Sequence, residues 1–275
     1  MRSLLAFVAL VALLATVGCS TSPTSPTSLG SLNSGTVRIR MTDAPGPFDA
    51  VNLVVNEVAI HRGLPDSLEM GGMSDSLGGW EVLSSRTATY DLMKLRNGLF
   101  ATLAQGLAPA GHYTQVRLKL GAGSNLVVGG VTYPLTVPSG MQSGYKLVGE
   151  FDVPASGLVE VGLDFDAARS IHQTGSGVYL LRPTCRVLPM FDVGGIAGRI
   201  VPDSTAAVVY AIAGVDTLAA GFPALDGNFV LTLLKAGTYT VAIHPEAAYR
   251  DTSLAGVIVT AQQITQLGDV QLTLK

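Results

Sequence analysis

The feature that most constrains this chain is a period-two alternation of apolar and polar residues, repeated in short runs that Gly and Pro interrupt. Val37, Ile39 and Met41 alternate with Thr36, Arg38, Arg40 and Thr42, the pattern of a strand with one buried face. Asp43-Ala44-Pro45-Gly46-Pro47 then forces a turn, because proline cannot donate to a sheet ladder. In residues 51–61, Val51, Leu53 and Val55 share a face, but Val58 and Ile60 follow one residue out of step. A β-bulge at Asn56-Glu57 reconciles the two halves. Further strands are expected at 113–120, 126–128, 131–137, 145–153, 158–166 and 178–188. Only 99–105 and 166–172 read as short helices, and the polar stretch 63–79 reads as an exposed loop. Many short strands without long helical periodicity predict an all-β fold built as a sandwich or barrel.

The pattern divides near Asp192-Val193-Gly194-Gly195. After this break come roughly 80 residues with their own strand signals, enough for a small β-domain. The expected organisation is two β-sandwich domains, at 36–193 and 194–275. In the second, Asp226-Gly227 is a hairpin turn in which Gly supplies positive φ. Phe229, Leu231 and Leu233 alternate after it, and Tyr239, Val241 and Ile243 share a face beyond the next turn. Ala236-Gly237-Thr238-Tyr239-Thr240 echoes Ala110-Gly111-His112-Tyr113-Thr114. Yet Tyr113 falls out of phase with Val116, Leu118 and Leu120, so convergent hairpin chemistry explains the echo at least as well as duplication.

The N-terminus carries an address. Met1-Arg2-Ser3 bears one positive charge, residues 4–14 are uninterruptedly apolar, and Ala15-Thr16-Val17-Gly18-Cys19 closes with small residues. The apolar run is shorter than the about 20 residues of a membrane-spanning helix, so residues 1–18 read as a secretory signal peptide. Thr16-Val17-Gly18-Cys19 resembles the bacterial lipobox, with Thr16 where Leu is usual. The resemblance implies that Cys19 is diacylated, becomes the new N-terminus and anchors the chain to a membrane. Ser20 after the cysteine is similar to lipoproteins sorted to the outer membrane in Gram-negative cells. Residues 19–35, rich in Ser, Thr and Pro and without charge, cannot form a core and read as a tether.

Composition narrows the function. The chain has 17 basic and 20 acidic residues, a net charge of −3, and no basic patch interleaved with aromatics, which argues against nucleic acid as a partner. Charged residues make up only 13%, which suits an extracytoplasmic β-protein of the cell envelope better than a cytosolic enzyme. Two cysteines cannot make a disulfide scaffold, and Cys185 reads as a small half-buried residue. No GxSxG elbow, HExxH, phosphate loop or CxxC pair is present. His61, His112, His172 and His244 stand apart, without zinc-ligand spacing. The expectation is a non-catalytic binding or structural module with no cofactor other than a candidate calcium ion.

Two family resemblances follow. Met41-Thr42-Asp43-Ala44-Pro45, the run from Val58 to His61, Gly79-Trp80, Asp91-Leu92, the run from Pro109 to Gln115, Leu163-Asp164-Phe165-Asp166-Ala167 and Leu181-Arg182-Pro183 occur in order. On these marks residues 36 to about 191 resemble a bacterial and archaeal lipoprotein family, domain of unknown function 4382. Gly195-Ile196-Ala197-Gly198, Asp226-Gly227-Asn228-Phe229 and the run from Ala236 to Val241 look like the carboxypeptidase regulatory-like family. That second resemblance implies a seven-stranded, transthyretin-like sandwich without catalytic residues.

One acidic constellation stands out. Glu160, Asp164 and Asp166 share a strand face, because Val159, Val161, Leu163 and Phe165 occupy the other. Same-face neighbours on a strand lie about 7 Å apart. Asp164 and Asp166, joined by Asp43 and with Asp49 as a further donor from the early turn, are candidate calcium ligands. The competing expectation, which the pattern favours, is a solvated face neutralised by Arg117 and Lys119. Two alternatives remain open: an accessory hydrolase using Asp164 and Asp166 as an acid pair, and a polysaccharide-binding surface protein stacking sugars on Trp80 or an exposed Tyr. The expected partners are thus the membrane through the lipid, and a surface protein or polysaccharide.

Overall fold

The computed structural model describes residues 33–44, 46–63, 79–138, 143–246 and 248–275. The signal peptide, Cys19, nearly all of the tether and most of the loop expected at 63–79 lie outside the described residues. The described chain is almost all β. Its first thirteen strands are β1 (Ser34–Ala44), β2 (Ala50–Arg62), β3 (Trp80–Ser84), β4 (Ala88–Asp91), β5 (Ala101–Pro109), β6 (Gly111–Leu120), β7 (Asn125–Val128), β8 (Val131–Thr136), β9 (Tyr145–Val153), β10 (Leu158–Asp166), β11 (Ile171–Gln173), β12 (Tyr179–Leu181) and β13 (Cys185–Pro189). One four-residue helix, α1 (Ala167–Ser170), follows β10.

These strands form two facing sheets. One has the order β13-β10-β1-β5; the other runs β11-β12-β8-β7-β2-β6-β9, with β3 and β4 also paired to β2. β1 and β10 are parallel neighbours in the middle of the first sheet. Val37, Ile39 and Met41 therefore lie beside Val159, Val161 and Leu163, and all six join a core with Leu53, Ile60, Tyr113 and Leu120 from the facing sheet. Each such fully buried side chain contributes about 1.5–3 kcal/mol relative to exposure.

Seven more strands follow: β14 (Val193–Val201), β15 (Ala207–Ala213), β16 (Asp216–Gly221), β17 (Asn228–Lys235), β18 (Gly237–Pro245), β19 (Thr252–Val259) and β20 (Ile264–Gln271). They make a three-stranded sheet, β17-β14-β20, and a four-stranded one, β16-β15-β18-β19. Ile196, Phe229, Leu231, Tyr239, Val241 and Ile243 lie in the core between them. At the hairpin before β17, Gly227 has φ of +78° and Asp226 Oδ1 accepts from the Asn228 N–H at 3.1 Å.

Several expectations are corrected. Residues 101–109 form β5, not a helix: Leu99, Leu103 and Leu107 recur every four residues and mimic a helical face, but Leu99 and Leu107 are 61% and 74% exposed. A register shift against β1 buries Leu103 and Ala104 in succession, which disguised the strand. Residues 166–172 are helical only over α1, and Ile171 already belongs to β11. The single strand expected at 178–188 is two, because β12 pairs with β8 and β11 while β13 pairs with β10, and Pro183 lies between them. Tyr113 is fully buried, because a register shift between Tyr113 and Gln115 returns it to the core. The slip at Asn56-Glu57 is present as a register shift of β2 against β6.

The alternation expected in β17 also breaks at Leu233. Its φ is +55°, a left-handed conformation that costs an L-residue about 1–2 kcal/mol. Leu234 takes the core position, and Leu233 turns toward the first sandwich to pack with Leu188, Val193, Phe100 and Met190. The approach is close: a Cβ on Gly162 would lie 2.7 Å from Leu233 Cδ2.

Candidate functional site

The C-terminal half of the acidic face of β10, Asp164 and Asp166, is largely withdrawn from solvent, while Glu160 stays partly exposed. That half lies at the junction, where β15 and β16 come against the end of the first sandwich, and a cleft of about 620 Å³ opens between them. One wall carries Asp164, Asp166, Arg169 and Arg186, and the other carries Tyr210 and Phe222. Concave sites of about 300–1,000 Å³ at domain junctions are where small ligands are held.

Register decides what each carboxylate does. Asp164 lies opposite Arg186 across the β10–β13 ladder, and the guanidinium binds Asp164 Oδ2 through Nη2 and through Nε at 2.9 Å. Burial nevertheless raises the Asp164 carboxyl above its ordinary pKa, against the opposing pull of Arg186. Asp166 caps α1, accepting from the Arg169 N–H at 2.8 Å, with Arg169 Nε at 3.4 Å. Glu160 pairs with Arg38 at 2.8 Å and lies 3.9 Å from Arg40. Arg117 and Lys119 do not neutralise this stripe, contrary to the sequence expectation. They bind Glu57 at 3.0 and 3.1 Å on the other sheet, across the β2–β6 ladder. Burial there would raise the Glu57 carboxyl, but hydrogen bonds from Lys119 and Arg117 outweigh it and hold the group below its usual range.

Asp43 follows Val37, Ile39 and Met41 onto the inner face of β1 and is only 5% exposed. Its Oδ1 accepts from the Ala167 N–H at 3.1 Å. Burial pushes its carboxyl well above the ordinary value, and the charges of Asp164 and Asp166 push the same way. A carboxyl whose folded pKa is raised favours the fold fully below the unfolded value of about 3.9, and that contribution is lost as pH rises toward the folded value. Asp49 lies elsewhere, accepting from the Gly130 N–H at 2.8 Å. Asp43, Asp164 and Asp166 are thus neighbours with separate duties. Among the described residues no group of three or more His, Cys, Asp or Glu is arranged to hold a metal ion.

The remaining candidates are also engaged. Asp164, ion-paired, and Asp166, capping, are poorly disposed to exchange a proton as an acid pair. Trp80 has the Arg117 guanidinium over its ring, Cζ 4.2 Å from the centroid, and the His61 ring 4.9 Å away, so that ring face is not open to a sugar. Burial, and after it the Asp164 charge, pushes the Cys185 thiol well above its usual pKa, which leaves it unreactive near neutrality. Arg186, Arg169, Tyr210 and Phe222 were not singled out in the sequence. Arg186 had a signal in its alternation with Cys185 and Val187, but its partner depends on strand pairing.

Fold and site define an all-β protein of two packed sandwiches with a cleft at their junction. Residues 34–183 match the model of a family described as Domain of unknown function (DUF4382), and the chain belongs to that family. The match ends before β13, which supplies Arg186. No curated protein matches the chain. Among solved structures, the TIE protein of Bacillus anthracis is 13% identical over 88% of this chain and 34% of its own, with a TM-score of 0.23. GBS52, the minor pilin of Streptococcus agalactiae, is 11% identical over 86% of this chain and 96% of its own, with a TM-score of 0.23. Shaft pilin SpaA of Lactobacillus rhamnosus GG is 9% identical over 88% and 98%, with a TM-score of 0.25. The chain spans about a third of the length of the first of these. At such TM-scores none of the three bears on what this chain does. No helix among the described residues is long and apolar enough to cross a membrane.

Proposed function

We propose that this chain is a lipid-anchored, extracytoplasmic, non-catalytic module that binds a polysaccharide in the junction cleft. The observation that carries the reading is the pairing of walls: Tyr210 and Phe222 on one side, the Asp164–Arg186 and Asp166–Arg169 pairs on the other. Aromatic faces accept the C–H faces of sugars, and planar carboxylate and guanidinium groups take vicinal hydroxyls. The order of the chain supports the anchor. β1 starts at Ser34, beside Pro109 of β5, and reaches the cleft at Ala44 after 11 residues, a strand length of about 35 Å. A tether leaving this first end would hold the cleft and the second sandwich away from the membrane. The domain limits 36–193 and 194–275, and Cys19 as the acylated residue, belong to this proposal.

A glycan array probed with the wild type and with Tyr210→Ala/Phe222→Ala tests the cleft. Binding lost in the double variant and kept in Trp80→Ala is expected; no retained glycan, or binding that survives the double variant, overturns the polysaccharide reading. The anchor is tested separately by fractionation. Cys19→Ser should move the protein from membranes to the soluble fraction, and a Cys19→Ser protein that stays with membranes would sink the lipid assignment.

A further inference from the structure

Beside the cleft, a second and much smaller partly open volume of about 20 Å³ lies between the two sandwiches, walled by Asp43, Asn97 and Asp164 from the first and by Ala220, Gly221 and Thr232 from the second. A space of that size accepts a single atom-sized occupant, since a water needs about 10–15 Å³ by the same measure. Its wall is rich in oxygen acceptors. Asp43 Oδ2 is buried and has no hydrogen-bond partner, its other oxygen being held by the Ala167 N–H. Asn97 Oδ1 is buried and without a partner in the same way. Both contacts of Arg186 fall on Asp164 Oδ2, which leaves Oδ1 clear of that ion pair. Arg96 lines the same volume, and its charge partly counters the upward push of burial on the Asp43 carboxyl without a close ion pair among the described residues.

We propose that this volume is a calcium site, with Asp43 Oδ2, Asn97 Oδ1 and Asp164 Oδ1 as its side-chain ligands. Carboxylate and amide oxygens are hard donors, and the absence of nitrogen or sulfur from this set favours calcium over zinc or copper. Main-chain carbonyls and water complete a coordination of six to eight, a number that calcium accepts in irregular arrangements where magnesium demands an octahedron. Asn97 is suited to its place: its φ is +53°, a conformation asparagine tolerates better than most residues. A divalent charge also offsets the burial of the Asp43 carboxylate. Asp166, committed to capping α1, is outside the set, so the site differs from the open acidic stripe read in the sequence.

The consequence is mechanical. Because both sandwiches wall the volume, a bound ion joins them at a second point, apart from the Leu233 contact. The volume shares Ala44, Asp164, Ala219 and Ala220 with the cleft, so occupancy fixes the cleft's width. This inference does not depend on which ligand the cleft takes.

The test uses the full chain purified in detergent, stripped with chelator and then titrated with calcium chloride, with magnesium and sodium chloride for comparison. Calcium a hundredfold above its Kd is expected to raise the first melting transition by roughly 5 °C, chelator to reverse the rise, and calorimetry to count one ion per chain. Asp43→Asn keeps the acceptor for Ala167 and removes the charge, while Asn97→Gly keeps the left-handed backbone and removes the amide oxygen. Both should retain the wild-type circular dichroism spectrum and lose the calcium response. If Asp43→Asn does not fold, Asn97→Gly decides alone. A wild type that neither shifts nor binds calcium overturns the proposal and assigns the volume to water. A response that survives in Asn97→Gly also overturns it, by placing the ion elsewhere.

Discussion

The two sandwiches share a local device and differ in what they bury. In the first, the Tyr113 hydroxyl donates to the Pro109 carbonyl at 2.9 Å; in the second, the Tyr239 hydroxyl donates to the Lys235 carbonyl at 2.8 Å. In both, a tyrosine three residues into a strand (β6, β18) reaches back to the carbonyl four residues before it. The Ala-Gly-x-Tyr echo in the sequence is therefore one structural solution used twice, whether by descent or convergence. Among the described residues, in contrast, the buried polar side chains Thr42, Asp43, His61, Ser124 and Ser170 belong to the first sandwich. Thr42, Asp43 and Ser170 lie near its junction end, around the close of β1 and α1. A buried polar group is costly unless satisfied, and Thr42, Ser124 and Ser170 are each satisfied by a main-chain partner, whereas Asp43 Oδ2 is not. The second sandwich supplies a packed wall.

The comparison breaks most decisively if the sandwiches melt as one. Phe229→Ala removes a fully buried ring from the second core and should cost about 3–5 kcal/mol. The single tryptophan, Trp80, lies in the first sandwich, so its fluorescence reports that half alone. The expected result is an early loss of β-signal in circular dichroism with the Trp80 transition unmoved; coincident shifts would mean that the Leu233 contact couples the two cores fully.

The shared tyrosine device can be sharpened by a smaller change. Tyr113→Phe and Tyr239→Phe each remove a part-buried hydrogen bond and should each destabilise by about 0.5–1.5 kcal/mol in chemical denaturation. Equal penalties would support equivalent roles, and a null effect at either site would remove it from the comparison.

The smallest effect concerns Glu57, on the face of the first sandwich away from the junction. Its folded pKa is depressed, so its contribution is present above the unfolded value of about 4.3 and is lost as pH falls through the folded value. Glu57→Gln should therefore lower stability by under about 1 kcal/mol at pH 7 and by nothing at low pH. Urea melts at the two pH values measure it, and an equal loss at both would mean that Glu57 acts through packing instead of charge.

Much of the fold was legible because strand burial is a local, period-two signal. β1, β6, β9 and β10 lie where the alternation places them, and the bulge at Asn56-Glu57 was readable because a one-residue slip moves every later side chain to the other face. Residues 99–105 resemble a helix because Leu99 and Leu103 are four apart and an extra residue at Leu103 of β5, opposite Ile39 and Arg40 of β1, breaks the period-two alternation. The site was legible in half. Glu160, Asp164 and Asp166 read as one face, but Arg117 and Lys119, which alternate on the polar face of their own strand, read as its neutralisers, whereas strand register supplies Arg38 and Arg186 and the turn of α1 supplies Arg169.

What the sequence by itself determined is the all-β class, the position of most strands, the hairpin at Asp226-Gly227 and the presence of an acidic face on β10. Each follows from residues adjacent along the chain, where alternation and turn chemistry act within a few residues. Only the tertiary structure decided that Asp164 and Asp166 reach the junction, that Arg186 lies opposite Asp164, that Leu233 leaves its own core to meet Gly162, and that Asn97 joins two carboxylates at one small volume. Those outcomes depend on strand register and on the packing of two separate cores, set by contacts between residues tens of positions apart, and no local periodicity carries that information.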